Sequence, residues 1–239
     1  SMAIKEDMIG ITGTNARPSI APTFGVENML GTNPLTIGFP TDEEFPFLLD
    51  CATSVSQRGR IEYYARSGKA TPNGVAIGKD GKSLTDSEAI LEKLIKGEAA
   101  MTPLGGIGET LGGYKGYGYA TAVEILSSAL SAGSYLKMLT NITEDGANRP
   151  YHLGHFFLVI NPEAFLGVET FKRIAGEILR QLRSSEKAPG KEHIYTAGEK
   201  EYLAWQERKD KGVPIGKAVQ RDLIAVRDLY QLDYHFDFE

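Results

Sequence analysis

The fold of this chain is best approached from one glycine-dense segment, Gly105-Gly-Ile-Gly-Glu-Thr-Leu-Gly-Gly-Tyr-Lys-Gly-Tyr-Gly118. The segment leads into residues 119–130, where Ala, Ser and Leu recur at close-packing spacings and predict a helix. A Rossmann unit would place such glycines between a strand and a helix and would follow them with an acidic residue. That context is missing, and no Ser or Thr follows Lys115 as a P-loop requires. The segment therefore argues against a doubly wound parallel sheet.

Predicted strands concentrate in the first part of the chain and predicted helices in the last part. Apolar runs of strand length predict strands at 8–14, 34–39, 45–50 and 156–160, with the second and third forming a hairpin and the fourth lying centrally. Helical periodicity predicts helices at 165–185, 199–211 and 216–232. Because strands and helices do not alternate regularly, the pattern favours the α+β class.

The segments between these elements carry weaker signals. Residues 55–66 fit either a helix or a strand, and the turn-rich residues 68–83 predict a surface excursion. The sequence Thr85-Asp-Ser-Glu88 is a capping box, which predicts a helix that runs to about Lys96 and stops at Gly97. From the whole pattern we expect a mixed α/β domain over residues 1–163 and a mainly helical part over residues 164–239.

The composition is ordinary for a soluble globular protein. The chain has 239 residues, of which 41% are apolar and 24% charged, and its net charge is −5. The negative balance argues against a general nucleic-acid surface. The single cysteine excludes an internal disulfide framework, and with four scattered histidines it offers no zinc-site spacing. Since the longest apolar runs are too short to span a bilayer, we expect a cytoplasmic protein without a membrane partner.

Two local patterns are candidates for ligand binding. In the first, glycines and Lys115 meet at a predicted helix start, which suits a phosphate group because backbone N–H groups and the helix dipole favour an anion. The alternative is a mobile surface loop. In the second, Asp50 ends an apolar strand and small residues follow, so that a carboxylate and free backbone are exposed. The alternative there is a turn or a helix cap made by Asp50 and Thr53.

The remaining titratable residues give weaker patterns. His152 and His155 flank a predicted strand and could act as an acid or a base, although a packed or surface role is more common for such histidines. The apolar setting of Cys51 favours an inert thiol over a nucleophile. The residues alone therefore predict a soluble α+β protein with one anion-binding loop and no defined enzyme class.

Six segments in order carry a resemblance to a known family. They are Met29-Leu-Gly-Thr-Asn-Pro-Leu35, Phe47-Leu-Leu-Asp-Cys-Ala-Thr53, Arg58-Gly-Arg-Ile-Glu-Tyr-Tyr-Ala65, Gly112-Gly-Tyr-Lys-Gly-Tyr-Gly118, Leu153-Gly-His-Phe-Phe157 and Ala197-Gly-Glu199. Together they resemble the type-2 malate/L-lactate dehydrogenases. The resemblance implies a fold unlike Rossmann, with a mostly antiparallel or mixed sheet and flanking helices. It also implies a homodimer that transfers hydride between NAD or NADP and a small 2-hydroxy or 2-oxo acid.

The resemblance assigns cofactor contacts residue by residue. By position, Asp50, Cys51 and Ala52 line the nicotinamide-ribose side, and Lys115 with Gly116 reaches the phosphates. The turn containing Gly198 and Glu199 contacts the other end of the cofactor, and Ala16 is a further contact. Six of these eight contacts fall within residues 1–163, which we expect to form the cofactor-binding domain. Cys51 stands where the family commonly has methionine.

The sequence departs from the family in its catalytic part. The proton-transferring histidine of the family lies in a Ser-His-Gly segment near the N-terminus, and no such segment occurs here. We therefore expect the catalytic residues in a segment missing from this chain, and little or no turnover by the chain alone. Malate with oxaloacetate is the leading substrate pair, with lactate, sulfolactate or ureidoglycolate as alternatives, and NAD is preferred over NADP. The alternative from another class is a catalytically silent binding or dimerisation module.

Overall fold

The structure is a computed structural model that describes residues 1–143 and 146–239. It divides into two compact units, residues 1–199 and residues 200–239. The boundary between these units follows Glu199, whereas the sequence pattern predicts a change of character after residue 163. The predicted division into a cofactor-binding domain and a helical part stays a prediction.

Seven strands lie in the described residues of the first unit. In chain order they are β1 (Ile9–Thr14), β2 (Leu35–Phe39), β3 (Phe47–Cys51), β4 (Ala76–Gly78), β5 (Ser83–Leu84), β6 (Ala99–Met101) and β7 (His155–Ile160). Seven α-helices occur in the described residues: α1 (Met2–Lys5), α2 (Arg58–Arg66), α3 (Ser87–Lys96), α4 (Gly113–Ser128), α5 (Val168–Ser184), α6 (Glu199–Lys211) and α7 (Lys217–Leu229). The paired strands are antiparallel in two separate sheets, without regular βαβ alternation, so the predicted α+β class is confirmed.

The larger sheet has four antiparallel strands in the order β3-β2-β1-β7. The predicted hairpin is present, with Leu35 opposite Cys51 and Phe39 opposite Phe47. The prediction of a central strand at 156–160 was wrong, because β7 lies at the edge of the sheet and Phe157 is 80% exposed. The apolar composition of this segment suggested a strand with a neighbour at each edge. Among the described strands, only β1 pairs with β7.

The smaller sheet has the order β5-β4-β6 and forms the centre of the core. All residues of β4 and β6 are buried, and Ile61 of α2 and Ile90 of α3 pack into the same cluster. The predicted surface excursion at 68–83 was therefore wrong in its middle part. The turn residues there, including the left-handed Gly74 and Gly81, flank a buried three-residue strand that is too short to give a periodic signal.

Residues 55–66, which fit a helix or a strand, form α2. The predicted capping box is replaced by a simpler cap at α3. Asp86 accepts a hydrogen bond from the Ala89 N–H at 3.0 Å, so the helix starts one residue later than a Thr85 cap would place it. Gly97 ends α3 in the left-handed conformation, as predicted.

Helix α4 begins inside the glycine-dense segment, at Gly113, six residues before its predicted start. Small residues form its buried face, with Gly113, Gly116 and Ala120 at helical spacing. A Cβ on Gly116 would lie 2.1 Å from the carbonyl oxygen of Leu104, and one on Gly113 would lie 2.2 Å from that of Gly106. The glycines therefore serve close backbone packing, which is a stronger requirement than helix propensity.

Helix α5 contacts the larger sheet at Phe39 of β2. Phe171 lies against Phe39, with ring centroids 6.3 Å apart. Residues 200–239 form the second unit, in which most of α6 and all of α7 lie. Near the end of α7, Arg227 pairs with Glu239 at 2.5 Å and lies over the ring of Phe236. The predicted helices at 165–185, 199–211 and 216–232 are thus confirmed with shifts of a few residues.

The packing of α4 generates a test with a matched control in the same helix. We expect Gly116→Ala to destabilise the protein by about 1–3 kcal/mol, because the new methyl group would overlap backbone atoms that cannot move away. Gly118→Ala should instead stabilise it by about 1 kcal/mol, since nothing lies within 4 Å of its Cβ position and alanine is the better helix former. Urea unfolding measures both; equal effects would contradict the close packing.

Candidate active site along strand β3

Strand β3 carries the first group of predicted site residues to an exposed strand end. Asp50 is exposed, and its Oδ1 accepts a hydrogen bond of 2.8 Å from the Thr36 hydroxyl on the neighbouring strand. Neither Asp50 nor Thr53 is the cap residue of the helix that follows, so the cap alternative is wrong, and ligand binding at this strand end stays a prediction. The carboxylate is held in place while one face remains open to a ligand.

Cys51 follows on the opposite side of the strand and is exposed. Its pKa is raised above the ordinary thiol value, first because nearby atoms remove part of its hydration and second because of the Asp50 carboxylate. A raised pKa lowers the fraction of reactive thiolate at neutral pH. This supports the interpretation of Cys51 as an inert thiol.

Thr53 and Asn33 join the end of β3 to Ala16. The Thr53 hydroxyl donates to the carbonyl oxygens of Thr32 at 3.1 Å and Asn33 at 3.0 Å. The Asn33 side chain, which is fully buried, accepts a hydrogen bond of 3.1 Å from the Ala16 N–H. The predicted contact at Ala16 is therefore fixed to the same structural element as residues 50–52.

A buried carboxylate lies beneath this junction. Glu124 of α4 is 5% exposed and accepts from the side-chain amides of Asn33 at 2.8 Å and Asn15 at 3.3 Å, and from the Leu136 N–H at 2.9 Å. Asn33 also donates to the Ala120 carbonyl oxygen at 2.9 Å. These bonds connect helix α4 to both ends of the segment between β1 and β2 and to the chain at Leu136.

The glycine-dense segment reaches β3 through Leu104. The Leu104 N–H donates to the Thr53 carbonyl oxygen at 2.9 Å, and Gly116 packs directly on the Leu104 backbone. A Cβ on Gly105 would lie 2.5 Å from the carbonyl oxygen of Gly112, so the two ends of the loop approach each other closely. Since Gly116 is buried, its observed role is packing, and its contact with a cofactor stays a prediction.

Lys115 is exposed in the first turn of α4. Its ammonium nitrogen lies 5.8 Å from the centre of the Tyr114 ring, and no carboxylate in residues 1–143 or 146–239 forms an ion pair with it. An unpaired cation at the N-terminus of a sixteen-residue helix has the donor chemistry that a phosphate requires. The geometry thus fits the anion-binding interpretation of this segment.

The last predicted group lies at the other end of β3. The Leu48 N–H donates to the carbonyl oxygen of Ala197 at 3.1 Å, on the outer edge of the sheet. Gly198 has a φ of +93°, and a Cβ there would lie 3.0 Å from the Pro46 carbonyl oxygen. Glu199 accepts from the N–H of Thr196 at 2.9 Å, so its carboxylate holds its own turn.

All eight predicted cofactor-binding residues therefore lie along or beside one strand and its continuation. The turn at 197–199 meets β3 at Leu48, residues 50–52 follow, and Ala16 and the start of α4 meet the chain at Thr53. Of the histidines, His152 and His155 are exposed, His155 lies opposite Thr14 in the sheet, and His193 lies against Tyr195.

Comparison with known proteins identifies the family of this chain. The sequence matches the malate/L-lactate dehydrogenase family over residues 1–224. The chain belongs to this family. Among its relatives, the malate dehydrogenase of Pyrococcus horikoshii is 44% identical over 222 residues, which are 93% of this chain and 59% of that protein. The L-sulfolactate dehydrogenase of Methanocaldococcus jannaschii is 39% identical over 224 residues, again 93% of this chain and 59% of that protein.

Solved structures of the malate/L-lactate dehydrogenase family share the fold. A crystal structure of malate dehydrogenase from Entamoeba histolytica has a TM-score of 0.90 at 43% identity, over 98% of this chain and 64% of that one. The sulfolactate dehydrogenase structure from Methanocaldococcus jannaschii has a TM-score of 0.77 at 37% identity, over 97% of this chain and 62% of that one. This chain spans about three-fifths of the length of these family members.

The sequence interpretation gave no role to several residues that organise the site of this malate/L-lactate dehydrogenase family member. Asn33 lies within one of the six matched segments, yet its amide points into the core and not at the surface. Glu124 is a lone acid in the apolar run Ala-Val-Glu-Ile-Leu, and that contrast is the signal by which it could have been found. Thr36 gave no such signal, because its bond with Asp50 depends on strand register.

Two features are absent from the residues that the structure describes in this family member. None of the helices there combines the length and the apolar content needed to cross a bilayer. Likewise, within residues 1–143 and 146–239, no group of three or more His, Cys, Asp or Glu side chains is arranged to hold a metal ion.

The buried carboxylate provides a second test. We expect Glu124→Gln to lower the free energy of unfolding by about 1–3 kcal/mol, because an amide group would set a donor against the donors of Asn15, Asn33 or Leu136. Glu92→Gln on the exposed side of α3 makes the same chemical change and should stay within about 0.5 kcal/mol of the parent. Urea unfolding at neutral pH compares the two variants. A small effect at position 124 would contradict the structural role given to the hydrogen bonds of Glu124.

Proposed function

We propose that the protein is an oxidoreductase that transfers hydride between NAD and a small 2-hydroxy or 2-oxo acid, with malate and oxaloacetate as the leading pair. The relatives named malate dehydrogenase, 44% identical to this chain, support that order of substrates. The relatives named L-sulfolactate dehydrogenase support the same class of substrate with another acidic group. The observation that carries the proposal is that hydrogen bonds and backbone packing bring all the predicted cofactor segments to β3 and the residues that follow it.

The residues present fit a nicotinamide dinucleotide. Gly112 has no side chain to obstruct the start of α4, and Lys115 offers a charge to the phosphates. The open end of β3 offers the Asp50 carboxylate and the backbone around Cys51 and Ala52 to the nicotinamide-ribose side. When bound, the nicotinamide ring supplies or accepts the hydride.

The chain's own residues, in this proposal, bind and orient the cofactor. Thr36 orients the Asp50 carboxylate, and Thr53 and Asn33 fix the backbone that follows it. Reduction of a 2-oxo acid also needs a cation for the carboxylate and a proton donor for the developing alkoxide. We place both outside residues 1–239 and expect little turnover of oxaloacetate by this chain alone. NAD in preference to NADP, and a homodimeric assembly, are parts of the same proposal.

Cys51 provides a direct test of the proposed cofactor site, because it is the only cysteine. We expect iodoacetamide to modify it slowly at pH 8 and faster as the pH rises, since the raised pKa keeps the thiol protonated. Asp50→Asn should speed the reaction at pH 8 by removing the carboxylate that raises the pKa. Saturating NADH should slow modification of the parent chain, as measured by intact mass over time.

A control distinguishes protection of Cys51 by bound NADH from an effect of NADH on iodoacetamide itself. In a Cys51→Ala chain, Ser185→Cys offers an exposed thiol after α5, and NADH should leave its modification rate unchanged. The affinities of the site for NADH and NADPH are compared through the concentration of each that halves the rate of Cys51 modification. If neither coenzyme protects Cys51 and neither gives saturable binding by fluorescence, this chain does not hold a nicotinamide cofactor and the proposal fails for it.

Lys115 tests the assignment of the phosphate end. We expect Lys115→Ala to weaken NADH binding by about 1–3 kcal/mol, the usual scale for a hydrogen bond to a charged group. Lys96→Ala, at the exposed C-terminal end of α3, removes the same charge and should leave the affinity within about twofold, as a surface charge effect. Fluorescence titration of NADH measures both. An unchanged affinity in Lys115→Ala would remove this residue from the site.

A further inference from the structure

A cluster of charged side chains connects three segments near the turn at residues 196–199. Its members are Asp42 and Glu43 in the turn between β2 and β3, Arg180 and Arg183 on α5, and Glu199 at the start of α6. Arg180 pairs with Asp42 at 2.9 Å and with Glu43 at 2.8 Å. Arg183 pairs with the other oxygen of Glu43 and lies 3.8 Å from Glu199.

Arg183 is the member that reaches the turn. Its side chain is 18% exposed, and those of Glu43 and Glu199 are 12% and 16% exposed, so these charges are largely removed from water. The guanidinium group also lies over the Phe45 ring, 5.4 Å from its centre. Screening by solvent is weaker for such a group than for a surface ion pair, and loss of one partner has a larger effect.

The contacts of Glu199 connect Arg183 to the turn at residues 196–199. The same carboxylate oxygen, Oε2, accepts from the N–H of Thr196 at 2.9 Å and from its hydroxyl at 3.2 Å, as in half of a capping box. This closes the turn on itself and directs the Ala197 carbonyl oxygen to the Leu48 N–H on β3. The cluster therefore connects helix α5 to the point where the turn meets the sheet.

We propose that Arg183 is a positioning residue that fixes the turn at 196–199 against β3 and thereby sets the affinity of the site for the nicotinamide cofactor. The first part, the fixing of the turn, rests on the ion pairs and hydrogen bonds described above. The second part, the effect on cofactor affinity, rests on the proposed function. Arg183 itself touches no cofactor in this account; it acts through Glu199. Lysine would not replace it fully, because one ammonium group lacks the planar fork that reaches both carboxylates.

The test compares two arginines of the same helix. Arg183→Met keeps an apolar stem over Phe45 and removes the charge, whereas Arg180→Met removes pairs with Asp42 and Glu43 and leaves the contact with Glu199. We expect roughly tenfold weaker NADH binding for Arg183→Met and less than twofold change for Arg180→Met. Arg183→Lys should lie between the parent and Arg183→Met.

Two further readouts separate positioning from a general loss of stability. Glu199→Gln removes the same ion pair from the other side, so the double variant with Arg183→Met should bind NADH no more weakly than the weaker single variant. If Arg183→Met does not fold, Glu199→Gln alone tests the effect of losing this ion pair. Hydrogen exchange at the Leu48 amide should be faster in Arg183→Met and unchanged in Arg180→Met, with or without cofactor.

The outcomes distinguish the two proposals. Unchanged exchange at Leu48 in Arg183→Met would overturn the positioning role, whatever the affinity. Faster exchange with unchanged NADH affinity would show that the turn is not part of the cofactor site and would overturn the second part. If the parent chain binds no NADH, the proposed function fails for it, while the exchange result still decides whether Arg183 holds the turn.

Discussion

The buried carboxylate of Glu124 is the constraint on which the candidate site depends. A charged group with so little exposure is tolerated only when hydrogen bonds replace its water, and Asn15, Asn33 and Leu136 supply them. Each donor belongs to a different segment of the chain. The carboxylate therefore specifies where three segments must lie relative to α4, and the positions of Ala16 and of the backbone after β3 follow from it.

Around this point the molecule uses backbone contacts more than side chains. Gly116 lets α4 approach Leu104 closely, and the Leu104 amide is bonded to Thr53. The Ala197 carbonyl oxygen bonds to Leu48 in the same manner at the other end of the strand. A site organised by main-chain atoms tolerates changes of side chain, which accounts for Cys51 at a position where the resemblance leads one to expect methionine. It tolerates changes of glycine much less.

Much of this could be predicted from the sequence, and the failures have physical causes. The hairpin of β2 and β3 and the long helices were predicted because their apolar periodicity extends over enough residues. Strand β4 was missed because three residues carry no period. The place of β7 at the sheet edge depends on pairing, which composition does not encode. For the candidate site, the resemblance gave the predicted cofactor contacts, whereas the roles of Asn33, Glu124 and Arg183 depend on contacts with residues far apart in sequence.

The sequence separations within the Glu124 cluster have a consequence for how the chain folds. Asn15 lies 109 residues and Asn33 lies 91 residues before the carboxylate that binds them. Contacts of such range form slowly, because the entropy of closing a long loop is lost before the contact is gained. During synthesis, β1 to β3 leave the ribosome well before α4 and remain without the partner for Asn33. The candidate site should therefore be among the last parts of the chain to become ordered.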